Sequence, residues 1–263
     1  MKLLEKANYH LVLPIINSCS RTCPTFACSV IDGIIPGSVY VDNQKRPETI
    51  LIGTNNGIYF IAGSDRNVEF NTMFLNYYRQ CTKGDASRFT LFSPTSSWNH
   101  VIKELLQKET SQMVRRKYFF NEKDETTKIQ QLPDGFDLVV INEKMIDASS
   151  NFNRDYYSQY WNGVSNYLKY GIGYCVVHNE TVVSECTSIF VSNQYAEIDI
   201  VTQEEYAGNG FAYLLGNTFI KKCFEEGLTP AWDCDKQNVG SQKLASKLGF
   251  DRFEEYSIYI RKT

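Results

Sequence analysis

Two acidic side chains alternate with apolar ones in a short segment near the end of the chain. Residues 196–202 read Ala-Glu-Ile-Asp-Ile-Val-Thr, a pattern that predicts a β-strand. Because successive side chains of a strand point to opposite faces, Glu197 and Asp199 share one face, while Ile198 and Ile200 face the core. A carboxylate held in this way can act as a general base. The alternatives are a solvated face and a face that binds a basic substrate by charge alone.

A glycine-bearing turn follows that strand and opens a helix. Gly208 and Gly210 lie in the turn, and apolar residues then recur at helical spacing until Gly227, a predicted C-cap. The first N–H groups of a helix have no partner within the helix, and the helix dipole favours an anion there. Strand, turn and helix in this order therefore predict a binding loop for a pyrophosphate. A purely structural turn is the alternative.

A third segment places polar side chains at the start of the last predicted helix. Asn238 is suited to be the N-cap of that helix, and Ser241 follows within its first turn. Trp232 precedes them in a predicted strand, and we expect its ring to be buried in the core or beside a cofactor cleft.

These segments must be positioned by a sheet and its helices. Apolar periodicity and turn signals, including Asn-Gly at 56–57, predict strands at 38–42, 48–53, 58–62, 89–92, 114–120, 136–141, 173–178, 182–191, 196–202, 230–234 and 256–261. Helices are predicted at 68–80, 98–107, 154–169, from 210 onward, and at 239–248. Both halves contain the order β-β-β-α-β-α-β, which indicates a repeated unit. The expected class is α+β (α/β/α-like), with a mixed, mostly antiparallel sheet and flanking helices.

A polar stretch without either periodicity, 121–134, is the predicted linker. It separates a domain at 1–125 from a second domain at 135–263, which carries the acidic strand and the glycine turn. The corresponding loop of the first half, 62–67, lacks such a turn. We therefore expect the first half to be a degenerate copy without a catalytic role; an unrelated α+β domain is the alternative.

The bulk composition excludes several classes of protein. With 263 residues, 43% hydrophobic and 22% charged, the chain is expected to fold around a sizeable core. A net charge of −3 argues against nucleic acid as the main partner, and no segment is apolar enough to span a membrane. The eight cysteines lack the paired C-x-x-C spacing of zinc sites. Most stand singly in predicted strands or helices, as small buried hydrophobic residues do, so we expect reduced thiols and a cytoplasmic location. The histidines occupy separate elements and predict no metal site: His10, His100 and His178.

The stretch from about Gly173 to Lys262 resembles the GNAT superfamily of N-acetyltransferases. The phosphate motif of that superfamily is Arg/Gln-x-x-Gly-x-Gly/Ala, which Gly210 and Ala212 match. Ala207 departs from the motif, because it stands where Arg or Gln is expected. With residues 39–42 and 232–234 included, the pattern resembles the branch that contains zwittermicin A resistance acetyltransferases.

The resemblance implies a GNAT fold in the C-terminal half, a degenerate GNAT-like N-terminal half, and acetyl-CoA as acyl donor. In that superfamily the strand matching 196–202 splays from its neighbour and hydrogen-bonds the pantetheine arm. It also often carries an acidic general base. The implied catalytic residues are Glu197 and Asp199. The implied cofactor-binding residues are Ile200, Val201, Gly208, Asn209, Gly210, Phe211, Ala212, Asn238 and Ser241.

One expected residue is missing. Many relatives have a Tyr four residues after the position of Ser241, where it acts as general acid for the leaving thiolate, but this chain has Ala245. Protonation by solvent, by Ser241 or by another Tyr stays open.

The expected function is therefore an N-acetyltransferase that acts on a primary amine of a small molecule, such as an antibiotic or amino metabolite, by direct attack in a ternary complex. The acceptor is expected between the splayed strand and an aromatic-rich helix at 156–170. A non-catalytic acyl-CoA-binding or protein-interaction module is the main alternative, motivated by Ala207 and Ala245. An aminoacyl-tRNA-dependent transferase is a weaker one, since the acidic balance argues against it. No nucleic-acid or membrane partner is expected, and the oligomeric state is open.

Overall fold

Short runs of alternating apolar residues build the sheets of this protein, and helices with one apolar stripe cover them. The structure is a computed structural model that describes residues 1–83, 88–121 and 132–262. It divides into two units, Met1–Lys117 together with Glu254–Thr263, and Tyr118–Phe253. The predicted linker at 121–134 lies mostly outside the described residues, and the domain bounds 1–125 and 135–263 stay a prediction. The final stretch from Glu254 groups with the first unit.

In the first unit, a mixed, mostly antiparallel sheet carries two amphipathic helices. Its strands are β1 (Lys2–Leu3), β2 (Gly37–Val41), β3 (Thr49–Thr54), β4 (Ile58–Gly63), β5 (Thr90–Ser93) and the larger part of β6 (Thr110–Phe120). Its helices are α1 (Leu13–Ser18), α2 (Thr25–Ile31), α3 (Val68–Cys81) and α4 (Ser96–Leu106). Strands β2, β3 and β4 pair antiparallel, and β4 pairs in parallel with β5. The Asn-Gly turn joins β3 to β4 as predicted, with Gly57 at φ 81°.

The apolar stripes of α3 and α4 form the core of this unit. Phe70, Phe74 and Tyr78 recur every four residues along α3 and are buried. They pack with Trp98 and Ile102 of α4. Both helices begin at a polar N-cap residue: Asn67 caps α3, and Thr95 caps α4. Spacing and caps together explain why both helices were predictable.

The second unit is also built from a sheet and flanking helices. Its strands are β7 (Phe136–Val140), β8 (Gly173–His178), β9 (Thr181–Val191), β10 (Tyr195–Thr202) and β11 (Thr229–Asp235). Its helices are α5 (Glu143–Ala148), α6 (Arg154–Trp161), α7 (Val164–Tyr170), α8 (Phe211–Glu225) and α9 (Val239–Lys247). Strands β7 to β10 pair antiparallel in chain order, and β10 pairs in parallel with β11. The last strand, β12 (Phe250–Arg261), begins in this unit, and its end pairs with β5 in the first unit. Within each unit the predicted α+β class, with a mixed sheet and flanking helices, is confirmed.

One helix prediction needs correction, and one helix of the second unit was missed. The single helix predicted at 154–169 is wrong, because the segment forms α6 and α7. Asn162 at φ 60° and Gly163 at φ 121° adopt left-handed conformations that end α6, although the apolar spacing continues through them. Helix α5 was not predicted. Its signal was Asn142, whose side chain accepts a hydrogen bond from the Met145 N–H.

Helices cover both faces of the second sheet. Thr187 of β9 contacts the hydroxyls of Tyr157 in α6 and Tyr167 in α7. The neighbouring Cys186 points the other way. Burial raises the pKa of Cys186, and Asp199 and Cys223 of α8 add to the rise. Within the described ranges, no helix combines the length and apolarity that a membrane crossing needs.

Candidate active site

Strands β10 and β11 pair over a short distance and then part. The parallel ladder joins Tyr195 to Thr229, Ala196 to Pro230 and Glu197 to Ala231, and across the described residues of both strands it goes no further. A bulge against β9, between Glu197 and Ile198, lies at the same point. Beyond this point the described residues of β10 form no ladder with β11, and such a strand edge suits an extended molecule that pairs through backbone hydrogen bonds. The end of the ladder fits the expected splay.

The two predicted carboxylates lie where the strands part. Glu197 stands opposite Phe190 of β9, and Asp199 stands opposite Thr187. Both acidic residues are half-buried, while Ile198 is 6% exposed. Ile198 therefore faces the core as predicted, whereas Ile200, for which the same was predicted, is half-buried.

Helix α6 covers Asp199 and anchors it. The Tyr156 hydroxyl donates a hydrogen bond of 2.8 Å to Asp199 Oδ2. Burial raises the pKa of Tyr156 well above its ordinary value, and the negative charge of Asp199 adds to the rise. Tyr156 therefore stays protonated and remains a donor. Its position is set by Asn153, which caps α6 by accepting from the N–H groups of Asp155 and Tyr156. The surroundings of Asp199 differ from those of a solvated carboxylate.

A third carboxylate was missed by the sequence analysis. Glu185 of β9 is 4% exposed, and Ser149 Oγ donates to its Oε1 at 2.7 Å. Burial raises the pKa of Glu185, and hydrogen bonds from Ser149, Phe152 and Asn151 oppose that rise. The charge of Asp199 raises it further. The available signal was an acidic residue within an otherwise uncharged strand sequence, Val182 to Val191.

The glycine turn presents the bare start of α8. Gly208 at φ 83° and Gly210 at φ 80° adopt conformations that favour glycine, and Gly210 is the N-cap without a capping side chain. The first turn of α8 has no acidic residue, and a Cβ placed on Gly208 would meet no atom within 4 Å. Phe211 is buried and its ring packs 5.0 Å from that of Phe136, which fixes the helix start against the sheet. This turn fits a diphosphate, because its main chain is accessible and the helix end favours an anion.

The corresponding turn of the first unit differs in each of these features. Helix α3 follows β4 as α8 follows β10, but its N-cap Asn67 accepts a hydrogen bond of 3.0 Å from the Phe70 N–H. Asn67 in turn donates to Asp42, and Glu69 adds a negative charge to the first turn. A side chain thus satisfies the helix start that an anion would otherwise bind.

The predicted polar residues of α9 are engaged with the protein itself. Asn238 caps the helix, accepting from the Ser241 N–H at 3.0 Å. The Ser241 hydroxyl accepts from Trp232 Nε1 at 3.0 Å, and the Trp232 ring is buried against Phe250. Ala245 is fully buried. Asn238 as N-cap and Trp232 as a core residue are confirmed, whereas contact of Asn238 or Ser241 with a cofactor stays a prediction.

The remaining predicted residues lie on β10 and at the start of α8. Ile200 and Val201 are half-buried on the strand, and Asn209 and Ala212 flank the Gly210 cap. Among the described residues, no cluster of His, Cys, Asp and Glu could hold a metal ion.

Comparison with known proteins supports this reading of the fold. A family model described as GNAT acetyltransferase matches residues 15–259. A curated protein of Bacillus subtilis (strain 168), named Uncharacterized N-acetyltransferase YdfB, is 47% identical over 239 residues, covering 91% of each chain.

Two solved structures resemble the chain along nearly its whole length. One is a GCN5-related N-acetyltransferase-like protein from Streptococcus suis 89/1591, with 22% identity, a TM-score of 0.71 and coverage of 97% of this chain and 100% of that one. The other is a tandem GNAT protein from the clavulanic acid biosynthesis pathway, with 11% identity, a TM-score of 0.68 and coverage of 98% and 97%. At 22% and 11% identity, the similarity to these two structures shows a shared fold only. This fold agrees with the match to the family model. The chain belongs to the GNAT acetyltransferase family and is an acyltransferase.

Proposed function

We propose that the protein transfers an acetyl group from acetyl-CoA to a primary amine of a small molecule, by direct attack in a ternary complex. The observation that carries this proposal is the parting of β10 from β11 beside a helix start without a capping side chain. Together they offer a slot for an extended arm and a cradle for a diphosphate. The thioester of acetyl-CoA supplies the activated acetyl group.

The proposed cofactor contacts come mainly from the main chain. The turn at Gly208, Asn209 and Gly210, with Phe211 and Ala212 of α8, would hold the diphosphate. Ile200 and Val201, on the open edge of β10, would hold the arm. Asn238 and Ser241 lie at the start of α9, which follows β11, and would contact the arm from that side. The absence of Arg or Gln at Ala207 weakens the grip without removing these groups.

Glu197 is the proposed general base. It is half-buried at the point where the strands part, and it could accept a proton from the acceptor ammonium directly or through a water. Asp199 is held by Tyr156 and is better placed to attract and orient a cationic amine. The acid that protonates the leaving group stays open, because Ala245 is buried and has no proton to give.

The proposed class of acceptor is inferred from the aromatic residues beside these carboxylates. The rings of Tyr156 and Tyr160 lie 4.9 Å apart, and Tyr160 lies 5.8 Å from Phe190. Tyr156 and Tyr160 are half-buried and Phe190 is buried. Aromatic rings next to carboxylates suit an organic amine, since the rings and the charges attract a cation together. The resemblance to the zwittermicin-resistance branch supports an amino antibiotic or metabolite within that class.

Thermal unfolding with and without acetyl-CoA tests the cofactor. At about 100-fold excess over Kd, a ligand specific for the folded state adds roughly 2.7 kcal/mol, which raises Tm by several degrees. Adenosine 3′,5′-bisphosphate, which lacks the diphosphate and the arm, is the control and should shift Tm much less. Thiol release from acetyl-CoA over a panel of primary amines then tests transfer. An equal shift with both nucleotides contradicts the binding site, and cofactor binding without thiol release on any amine contradicts the acceptor class.

A further inference from the structure

Three cysteines of the first unit lie close together around the start of α2. Cys23 immediately precedes Pro24, the N-cap of that helix, and Cys28 lies within the helix. Their sulfur atoms are 3.9 Å apart. Cys19 belongs to the same group, but its Sγ donates toward the carbonyl oxygen of Ile15 at 3.2 Å. Cys23 is 3% exposed, whereas Cys19 and Cys28 are partly exposed.

A buried cation accompanies these sulfurs. Lys117 of β6 is 8% exposed, and its ammonium donates to the carbonyl oxygens of Ser20 and Cys23. The positive charge acts to lower the pKa of all three thiols, although stronger opposing effects raise the pKa of Cys19 and Cys23. A cation beside a thiol favours the thiolate, which is the nucleophilic form.

The surroundings make the pair unequal. The hydrogen bond with Cys23 lowers the pKa of Cys28; burial opposes this, Lys117 supports it and Asp32 opposes it. The same hydrogen bond raises the pKa of Cys23, and burial adds to the rise. Burial raises the pKa of Cys19 to about 11. Either sulfur can donate in the hydrogen bond between them; these pKa shifts favour Cys23 as the donor and Cys28 as the first thiol to ionise. Cys28 is also the more accessible of the two.

We propose that Cys28 and Cys23 are an oxidisable thiol pair, in which the Cys28 sulfur attacks a peroxide and Cys23 completes a disulfide. An accessible thiolate next to a second thiol is the arrangement expected of such pairs. The two sulfurs need to close from 3.9 Å to about 2.05 Å. Cys23 precedes the helix, so its side chain can turn toward Cys28 without opening a helical hydrogen bond.

The steps balance as a two-electron oxidation. The Cys28 thiolate attacks a peroxide oxygen, an S–O bond forms, the O–O bond breaks and hydroxide leaves. The Cys23 sulfur then attacks the Cys28 sulfenic acid, an S–S bond forms, the S–O bond breaks and the oxygen leaves as water with the proton from Cys23. Two thiol sulfurs are oxidised to a disulfide, and the peroxide is reduced to water and hydroxide.

Peptide mapping of the full chain tests the pairing. Trypsin cleaves after Arg21 and Lys45, so one peptide holds Cys23 and Cys28 but not Cys19. After one equivalent of hydrogen peroxide and blocking with iodoacetamide, this peptide should lose two hydrogens and resist alkylation until it is reduced. The Cys19→Ser variant should behave like the wild type. Disulfide linkage to the Cys19 peptide, or faster oxidation of any other cysteine, would overturn the proposal.

Two further variants separate the roles. Cys23→Ser removes the second sulfur and should leave Cys28 as a sulfenic acid that dimedone traps. Lys117→Gln should raise the pH midpoint of Cys28 alkylation, slowing alkylation at pH 7 about tenfold for each unit of pKa. Lys117→Arg keeps the cation and should retain the wild-type midpoint; it decides the matter if the Gln variant does not fold. Cys28 alkylating no faster than Cys81 at pH 7 in the wild type contradicts the proposal.

Discussion

Glu197 and Asp199 occupy the same face of one strand but have different surroundings. Asp199 accepts a hydrogen bond from Tyr156, and Glu197 stands where β10 leaves β11. This difference separates two roles that strand alternation alone treats as equal. A base needs to exchange its proton during turnover, whereas a carboxylate fixed by a tyrosine is suited to hold a charge.

If Glu197 is the proposed base, replacing it by Gln should lower kcat/KM for the amine by about 10²–10⁴, because general-base catalysis of that size is lost. The affinity for acetyl-CoA should not change. Steady-state kinetics over a pH series, with calorimetry for the cofactor, measure both. Asp137→Asn, on the exposed face of β7, is the matched carboxylate control. Full turnover of the Gln variant at every pH would remove Glu197 from this role.

Glu185 should make stability depend on pH. Its folded-state pKa lies above the unfolded value near 4.5, so the unfolded chain ionises first as pH rises. Stability should therefore fall from about pH 4.5 up to the folded pKa and then level off. Glu185→Gln removes this loss, so the Tm of the variant relative to the wild type should increase between pH 4 and pH 8. Glu180→Gln, exposed on the same hairpin, should show no such trend; a constant difference for Glu185→Gln contradicts the assignment.

At the scale of elements, each end of α8 has a glycine with positive φ, but the two ends are capped differently. Gly210 begins the helix at φ 80°, and Gly227 follows its end at φ 69°. At the C-terminal end the Leu228 N–H donates to the Cys223 carbonyl, which closes a Schellman motif, whereas the N-terminal end has no capping side chain. The same substitution at the two glycines therefore separates a role of the glycine turn in cofactor binding from its effect on the backbone.

Gly210→Ala and Gly227→Ala should each cost roughly 1–2 kcal/mol of stability, because both force an alanine into the left-handed region. Gly210→Ala should also raise the Kd for acetyl-CoA about tenfold, a loss of 1.4 kcal/mol. Denaturant unfolding and calorimetry measure the two effects separately. Equal affinities in the two variants would count against a phosphate role for the turn.

At the scale of the whole molecule, the end of the last strand forms part of the sheet and core of the first unit. Ser257 to Ile260 pair with β5, and Tyr259 is buried in the core with Trp98. Its hydroxyl donates to the Asn99 carbonyl oxygen at 3.2 Å. The first unit is therefore completed by residues that are far from it in sequence.

Tyr259→Ala should destabilise the protein by about 3–5 kcal/mol, as expected when a large core side chain is removed. Hydrogen exchange should quicken in β5 and α4 of the first unit. Phe253→Ala alters another aromatic residue of the same strand, 43% exposed, and should cost below about 1 kcal/mol. Faster exchange in β8 and β9 rather than β5 after Tyr259→Ala would contradict this division.

The sequence by itself determined what depends on neighbours along the chain. Strand β8 was predicted at its observed bounds, and the glycine turn, the start of α8 and the Asn238 cap were also predicted. These features depend on hydrophobic periodicity, turn residues and capping residues, which act over a few positions of the chain. The family resemblance rested on the same local signals. The break between α6 and α7 was missed because apolar spacing continued across it.

Only the tertiary structure decided which distant groups meet. Tyr156 reaches Asp199 across 43 positions, and Ser149 reaches Glu185 across 36. The parting of β10 from β11 and the placement of β12 beside β5 likewise depend on strand register. Register is chosen by how whole faces pack, and no short window of sequence contains that information.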